Sequence, residues 1–100
     1  MADESFNNII RGNTPVLVDF HAEWCGPCKS MKPVLEEVKR KMGDNLRILK
    51  IDIDKHPHLS NQYQVQAVPT LVLFSEGQMI WRKSGMLSST DLLKILKSEL

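Results

Sequence analysis

Cys25 and Cys28 are the only two cysteines in this 100-residue chain, three positions apart in Trp24-Cys25-Gly26-Pro27-Cys28-Lys29. Thiols so spaced can open and close a disulfide if they begin a helix. Residues i and i+3 then share a face, with Cβ atoms roughly 5–6 Å apart. The flanks supply that setting. Pro15-Val16-Leu17-Val18-Asp19-Phe20 reads as a strand before the pair, and Met31, Val34, Leu35, Val38 and Met42 recur with helical spacing after it. Cys25 then falls at the helix N-terminus, where unpaired N–H groups and the helix dipole favour a thiolate. That assigns Cys25 as the nucleophile and the more exposed sulfur. Cys28, turned inward by the helix, becomes the resolving thiol.

Other readings of the pair weigh less. A structural bridge closing so short a loop contributes only about 2 kcal/mol by chain entropy. Zinc normally takes four ligands, and no second cysteine pair or spaced histidine pair supplies them. His56 and His58 flank Pro57 and read as solvent-exposed, with no third ligand nearby. No metal and no cofactor is expected. Two inert buried thiols do not suit a strand-to-helix junction.

Phe20-His21-Ala22-Glu23-Trp24-Cys25-Gly26-Pro27-Cys28-Lys29 resembles the active-site signature of the thioredoxin family. The Gly-Pro pair between the cysteines is similar to that of the reducing members, whereas oxidants and isomerases usually carry a histidine there. The resemblance implies a protein-disulfide reductase that acts on protein substrates and is re-reduced by a thioredoxin reductase. Two alternatives stay open: an oxidant or isomerase, and a non-enzymatic binding module on the same fold.

Three further stretches gain meaning from the resemblance. Asp19 interrupts the apolar strand, and by itself it reads equally well as a carboxylate facing water. Thioredoxins carry an Asp at the matching place behind the second cysteine, where desolvation would raise its pKa and suit it to accept a proton near neutrality. Lys50 matches the family lysine near that Asp. In Val68-Pro69-Thr70 the sequence alone argues for a trans bond, since only about one X-Pro bond in twenty is cis. Thioredoxins place a cis proline here facing the disulfide, so cis is expected, with Val68 free to pair its main chain with an extended substrate. Trp24, Gly26, Pro27, Val68, Pro69 and Gly85 would form a flat apolar apron around Cys25. Two positions depart from the family pattern: His21 replaces a common tryptophan, and Ala67 a common glycine.

The remaining elements must position these groups. Phe6, Ile9 and Ile10 have helical spacing up to Gly12; Leu46 to Ile53 alternates as a strand; Pro57 opens a short helix to about Tyr63. Thr70 to Ser75 and Gln78 to Lys83 form a hairpin about Glu76-Gly77, and Ser88 with Asp91 opens a last helix bearing Leu92, Leu93, Leu96 and Leu100. The helix after the cysteines ends at Gly43 and is expected to kink at Pro33. The order implies one α/β domain over residues 1–100: a mixed four-stranded sheet with helices on both faces, the thioredoxin fold without its first edge strand. A net charge of +1 with no basic stripe gives no sign of a nucleic-acid or membrane partner. The polar, acidic start Met1-Ala2-Asp3-Glu4-Ser5 and the want of a stretch long enough to span a bilayer lead us to expect a cytoplasmic address, and a monomer is expected. In a reducing compartment a lone cysteine pair cycles rather than staples.

Overall fold

The computed structural model describes residues 3–100. In chain order these form α1 (Asp3–Ile10), β1 (Val16–His21), α2 (Gly26–Met42), a 3₁₀ turn (Gly43–Asn45) and β2 (Arg47–Asp52). There follow α3 (Pro57–Gln62), β3 (Thr70–Ser75), β4 (Gln78–Ser84) and α4 (Ser89–Glu99). The sheet runs β2-β1-β3-β4, with β1 and β2 parallel and the other pairings antiparallel. Parallel neighbours need a crossover, and α2 provides it.

β1 is the central strand, and its two faces are dealt out by the pleat. Val16, Val18 and Phe20 join Phe6 and Ile10 of α1 and Leu59 of α3 in one buried cluster. Leu17 joins Met31, Leu35 and Val38 of α2 and Leu92 and Leu96 of α4 in the other. Helices therefore cover both faces, as expected. Asp19 and His21 share the parity of Leu17, so both leave the sheet on the side that carries α2. β1 extends one residue past the expected end, which brings His21 into the strand.

The ends of the elements follow local chemistry. Ser88 Oγ accepts the Asp91 N–H at 3.1 Å and caps α4, which is half of a capping box. α2 continues through Pro33, which withholds the N–H that would otherwise bond to Lys29. Glu76 and Gly77 both have positive φ, 52° and 85°, the signature of a tight type I′ hairpin. The Gly77 N–H donates to Ile10 O at 2.7 Å, and this ties the end of α1 to the hairpin. β4 carries a bulge: Leu73 faces Trp81 and Phe74 faces Met79, which leaves Ile80 between them. Neither the bulge nor the 3₁₀ turn has a clear mark in the sequence.

Since α1 begins at Asp3, no strand precedes it among the described residues, and none pairs with the outer side of β2. The expected loss of the first edge strand holds for that range; Met1 and Ala2 lie outside it.

Candidate active site

Cys25 is the N-cap of α2, in extended conformation, and Cys28 lies in the helix's first turn. Their sulfurs are bonded, with the Cα atoms 5.3 Å apart. The Cys28 N–H donates to Cys25 Sγ at 3.1 Å. One of the helix's orphan N–H groups is therefore spent on this sulfur, and the same bond would hold a thiolate there when the pair is reduced.

The expected difference in exposure is absent. Cys25 is 5% exposed and Cys28 8%, so the outer sulfur is no more open than the inner one. The reason is non-local: Val68 and Ile53 pack over the pair together with Ala22. Cys25 Sγ lies 3.5 Å from Val68 O, an acceptor that a Cys25 thiol could reach. What distinguishes the two sulfurs is the hydrogen bond from the helix start.

The Val68–Pro69 bond is cis, as expected. Thr70, fully buried, closes this corner: its hydroxyl donates to Ala67 O at 2.6 Å and shares a 2.8 Å hydrogen bond with Ser84 Oγ. The Gly85 N–H donates to Pro69 O at 2.8 Å, from a backbone with φ +97° that suits glycine. The apron residues thus gather around the disulfide, but they do not form a uniformly open surface. Trp24 is 70% exposed and Gly26, Pro27 and Gly85 are open, while Val68 is half-buried and Pro69 buried. The Trp24 indole donates to Asp54 Oδ2 at 2.8 Å. Met86, 49% exposed beside Gly85, adds apolar surface.

Beneath the cysteines Asp19 is 3% exposed, and its Oδ1 has no hydrogen-bond partner. Burial pushes its carboxyl above the ordinary 3.8, and the charges of His21 and Lys50 pull back only part of the way. The reading of Asp19 as a buried carboxylate therefore holds, against the solvent-facing one. It opens on a cleft of about 450 Å³ that also meets Cys28, His21, Lys32 and Lys50. Lys50 stands opposite Asp19 in the β1–β2 register but forms no ion pair with it. Its side chain is exposed, and its charge acts on the carboxyl across the cleft that both residues line.

Asp52, opposite His21, behaves differently. Burial alone would raise its pKa, but N–H donors from Asp54 at 2.8 Å and Lys55 at 3.3 Å, with His21 and Lys55 nearby, hold it below the ordinary value. His56 is half-buried, a correction to the solvent-exposed reading, while His58 is exposed as expected. His56 starts α3: its N–H donates to Asp52 O and its carbonyl accepts from Ser60. Among the described residues no cluster of three His, Cys, Asp or Glu could hold a metal ion, and no helix is long and apolar enough to cross a membrane.

The thioredoxin family model matches residues 1–98. The chain belongs to the thioredoxin family. The thioredoxin of Acidithiobacillus ferridurans is 44% identical over 101 residues, which cover 100% of this chain and 94% of that one. Chloroplastic thioredoxin Y of Oryza sativa is 41% identical over 96% of this chain, which spans 58% of the rice protein. Among solved structures, oxidised mitochondrial thioredoxin 3 of Saccharomyces cerevisiae aligns with a TM-score of 0.86 and 38% identity, covering 95% of this chain and 88% of that one. With the family's cysteine pair in place and bonded, this thioredoxin-family chain is a thiol–disulfide oxidoreductase that reduces protein disulfides.

Sequence reasoning passed over two residues that support this thioredoxin site, Asp54 and Thr70. A hydroxyl directly after a strand-opening proline was the available sign for Thr70; Asp54 had only its place in a turn. Thr70→Val keeps the shape but leaves the Ala67 carbonyl without its donor. We expect a stability loss of about 1–2 kcal/mol in urea unfolding of the oxidised protein. A loss within error would show that the buried hydroxyl does not brace the Pro69 corner.

Proposed function

We propose that residues 1–100 act as one thioredoxin domain in which Cys25 attacks and Cys28 resolves. The observation that carries this reading is the Cys28 N–H donating to Cys25 Sγ at the start of α2. In the dithiol form it favours the Cys25 thiolate, which attacks one sulfur of a substrate disulfide. A Cys25–substrate bond forms, the substrate S–S bond breaks, and the departing sulfur takes up a proton. Cys28 then gives its proton to the Asp19 carboxylate and attacks Cys25 Sγ. The internal disulfide forms, the mixed disulfide breaks, and two electrons have passed to the substrate.

Asp19 is suited to this step by its burial and raised pKa, in the cleft it shares with Cys28. Lys50 biases that carboxyl from the rim. Trp24, Gly26, Pro27, Val68, Pro69 and Gly85 receive the substrate, which lies extended so that its main chain pairs with Val68. A thioredoxin reductase returns the pair to the dithiol, as part of electron transport and cell redox homeostasis. That cycle needs a reducing compartment, and we assign the cytoplasm. Each chain carries every residue of the scheme, so a monomer suffices.

The test is reduction of insulin disulfides with and without a thioredoxin reductase and its electron donor. Turnover that depends on the reductase is expected, and none with either the reductase or dithiothreitol would sink the reading. Asp19→Asn tests the proton step by itself. Resolution of a preformed mixed disulfide should slow about tenfold or more near neutral pH, with first attack little changed. An unaltered resolution rate removes Asp19 from the mechanism.

A further inference from the structure

His21 occupies a position that the scheme above leaves without a task. It lies two residues from Asp19 on β1, on the same face of the sheet, and lines the same cleft as Asp19 and Cys28. Asp19 is almost fully buried and its Oδ1 has no partner, whereas His21 is half-buried and so reaches from the interior towards water. A carboxyl that takes a proton in each cycle must return it to solvent, and Asp19 reaches solvent through the cleft that it shares with His21.

The other charged groups about His21 are poor carriers. Lys50 on β2 and Lys29 and Lys32 on α2 stand exposed around the cleft, and ammonium groups hold their protons through neutrality. Glu23, exposed in the loop after β1, has Lys55 Nζ at 3.5 Å and is of a type already ionised at neutral pH. Asp52, opposite in register, is held as a carboxylate by two N–H donors. Held in that form, it is a poor proton acceptor and does not exchange with Asp19. Histidine is the one side-chain type lining the cleft that ordinarily binds and releases a proton near neutral pH.

We propose that His21 is the proton-exchange residue of this site, carrying protons between the buried Asp19 carboxyl and solvent through the cleft. After Cys28 has resolved the mixed disulfide, Asp19 holds the proton that left the Cys28 thiol. The imidazole of His21 accepts it, directly or across cleft water, becomes imidazolium, and releases it to bulk water. In re-reduction the path runs backwards and supplies the proton that Cys28 regains. No electrons move in these transfers; the two-electron exchange stays between the sulfurs. His21 is thus a positioning and relay group acting through Asp19.

This inference rests on the assignment of Asp19 as the acceptor for Cys28. The test measures the resolution rate of a preformed mixed disulfide across pH 5.5–8.5 in the parent, His21→Gln and Asp19→Asn. For His21→Gln we expect a loss of about fivefold to tenfold near pH 7, recovered in part by added imidazole, a mobile carrier small enough for the cleft. A merely structural role would show no recovery, because free imidazole cannot repair packing. His21→Gln matching the parent at every pH, while Asp19→Asn is slow, overturns the relay and leaves Asp19 in place. Asp19→Asn matching the parent overturns both. A slow His21→Gln that imidazole does not recover also overturns the relay. His21→Asn serves as a second variant if the glutamine protein fails to fold.

Discussion

Cys28→Ser will halt the reaction half-way, with substrate and protein joined through Cys25. The serine hydroxyl cannot resolve the bond, yet its backbone N–H still donates to Cys25 Sγ, so the first attack survives. Cys25→Ser removes the nucleophile itself. Insulin reduction should fall at least a thousandfold in both variants, because each sulfur is needed to complete a cycle. They will differ in what accumulates. Non-reducing electrophoresis and mass spectrometry should find an adduct at Cys25 in Cys28→Ser and none in Cys25→Ser. Equal adduct in the two would mean that the sulfurs are interchangeable, and the helix-start hydrogen bond would then have no bearing on which one strikes.

Asp19→Asn should make the folded protein more stable at neutral pH while making it a slower enzyme. In the unfolded chain the carboxyl titrates at its ordinary 3.8; in the fold, burial raises that value. Below 3.8 both states are protonated and Asp19 carries no penalty. As pH rises, the unfolded chain releases a proton that the folded chain still holds, so stability falls. Above the folded pKa the loss is complete, and a carboxylate sits at 3% exposure with one oxygen, Oδ1, lacking a hydrogen bond. Asparagine escapes this charge penalty. The gain should be about 1–3 kcal/mol at pH 8 and vanish only below the ordinary 3.8, towards about pH 3. In a domain of this size each kcal/mol moves Tm by about 4–8 °C, so thermal unfolding at both pH values is a direct check. A Tm difference independent of pH would mean that Asp19 is solvated in solution.

The strand, the cysteine pair and the helix after it were legible because the signals are local: a continuous apolar run, then a 3.6-residue period. The positions of Asp19 and His21 followed from strand parity once the end of β1 was known, and one extra residue decided whether His21 belonged to it. The burial of Cys25 was not legible. Its cover is Val68, 43 residues away in sequence, brought over by the cis turn. Lys50 falls opposite Asp19 in register, near it as the resemblance implied, while its long side chain stays open to water and forms no ion pair with it. The Thr70–Ser84–Ala67 corner and the Trp24–Asp54 bond join segments that no periodicity relates.

Among the described residues nothing pairs with the outer flank of β2, and this has a consequence for crowded solutions. A bare strand margin is a template on which another chain can lay its own backbone, the first step towards fibres. Here that margin carries Arg47 and Lys50, both standing in solvent, on either side of Ile48 and Leu49. A second copy laid alongside would bring like charges together and strip their water. The lysine whose charge is felt by the buried Asp19 carboxyl is, on this side of the molecule, a deterrent to polymerisation.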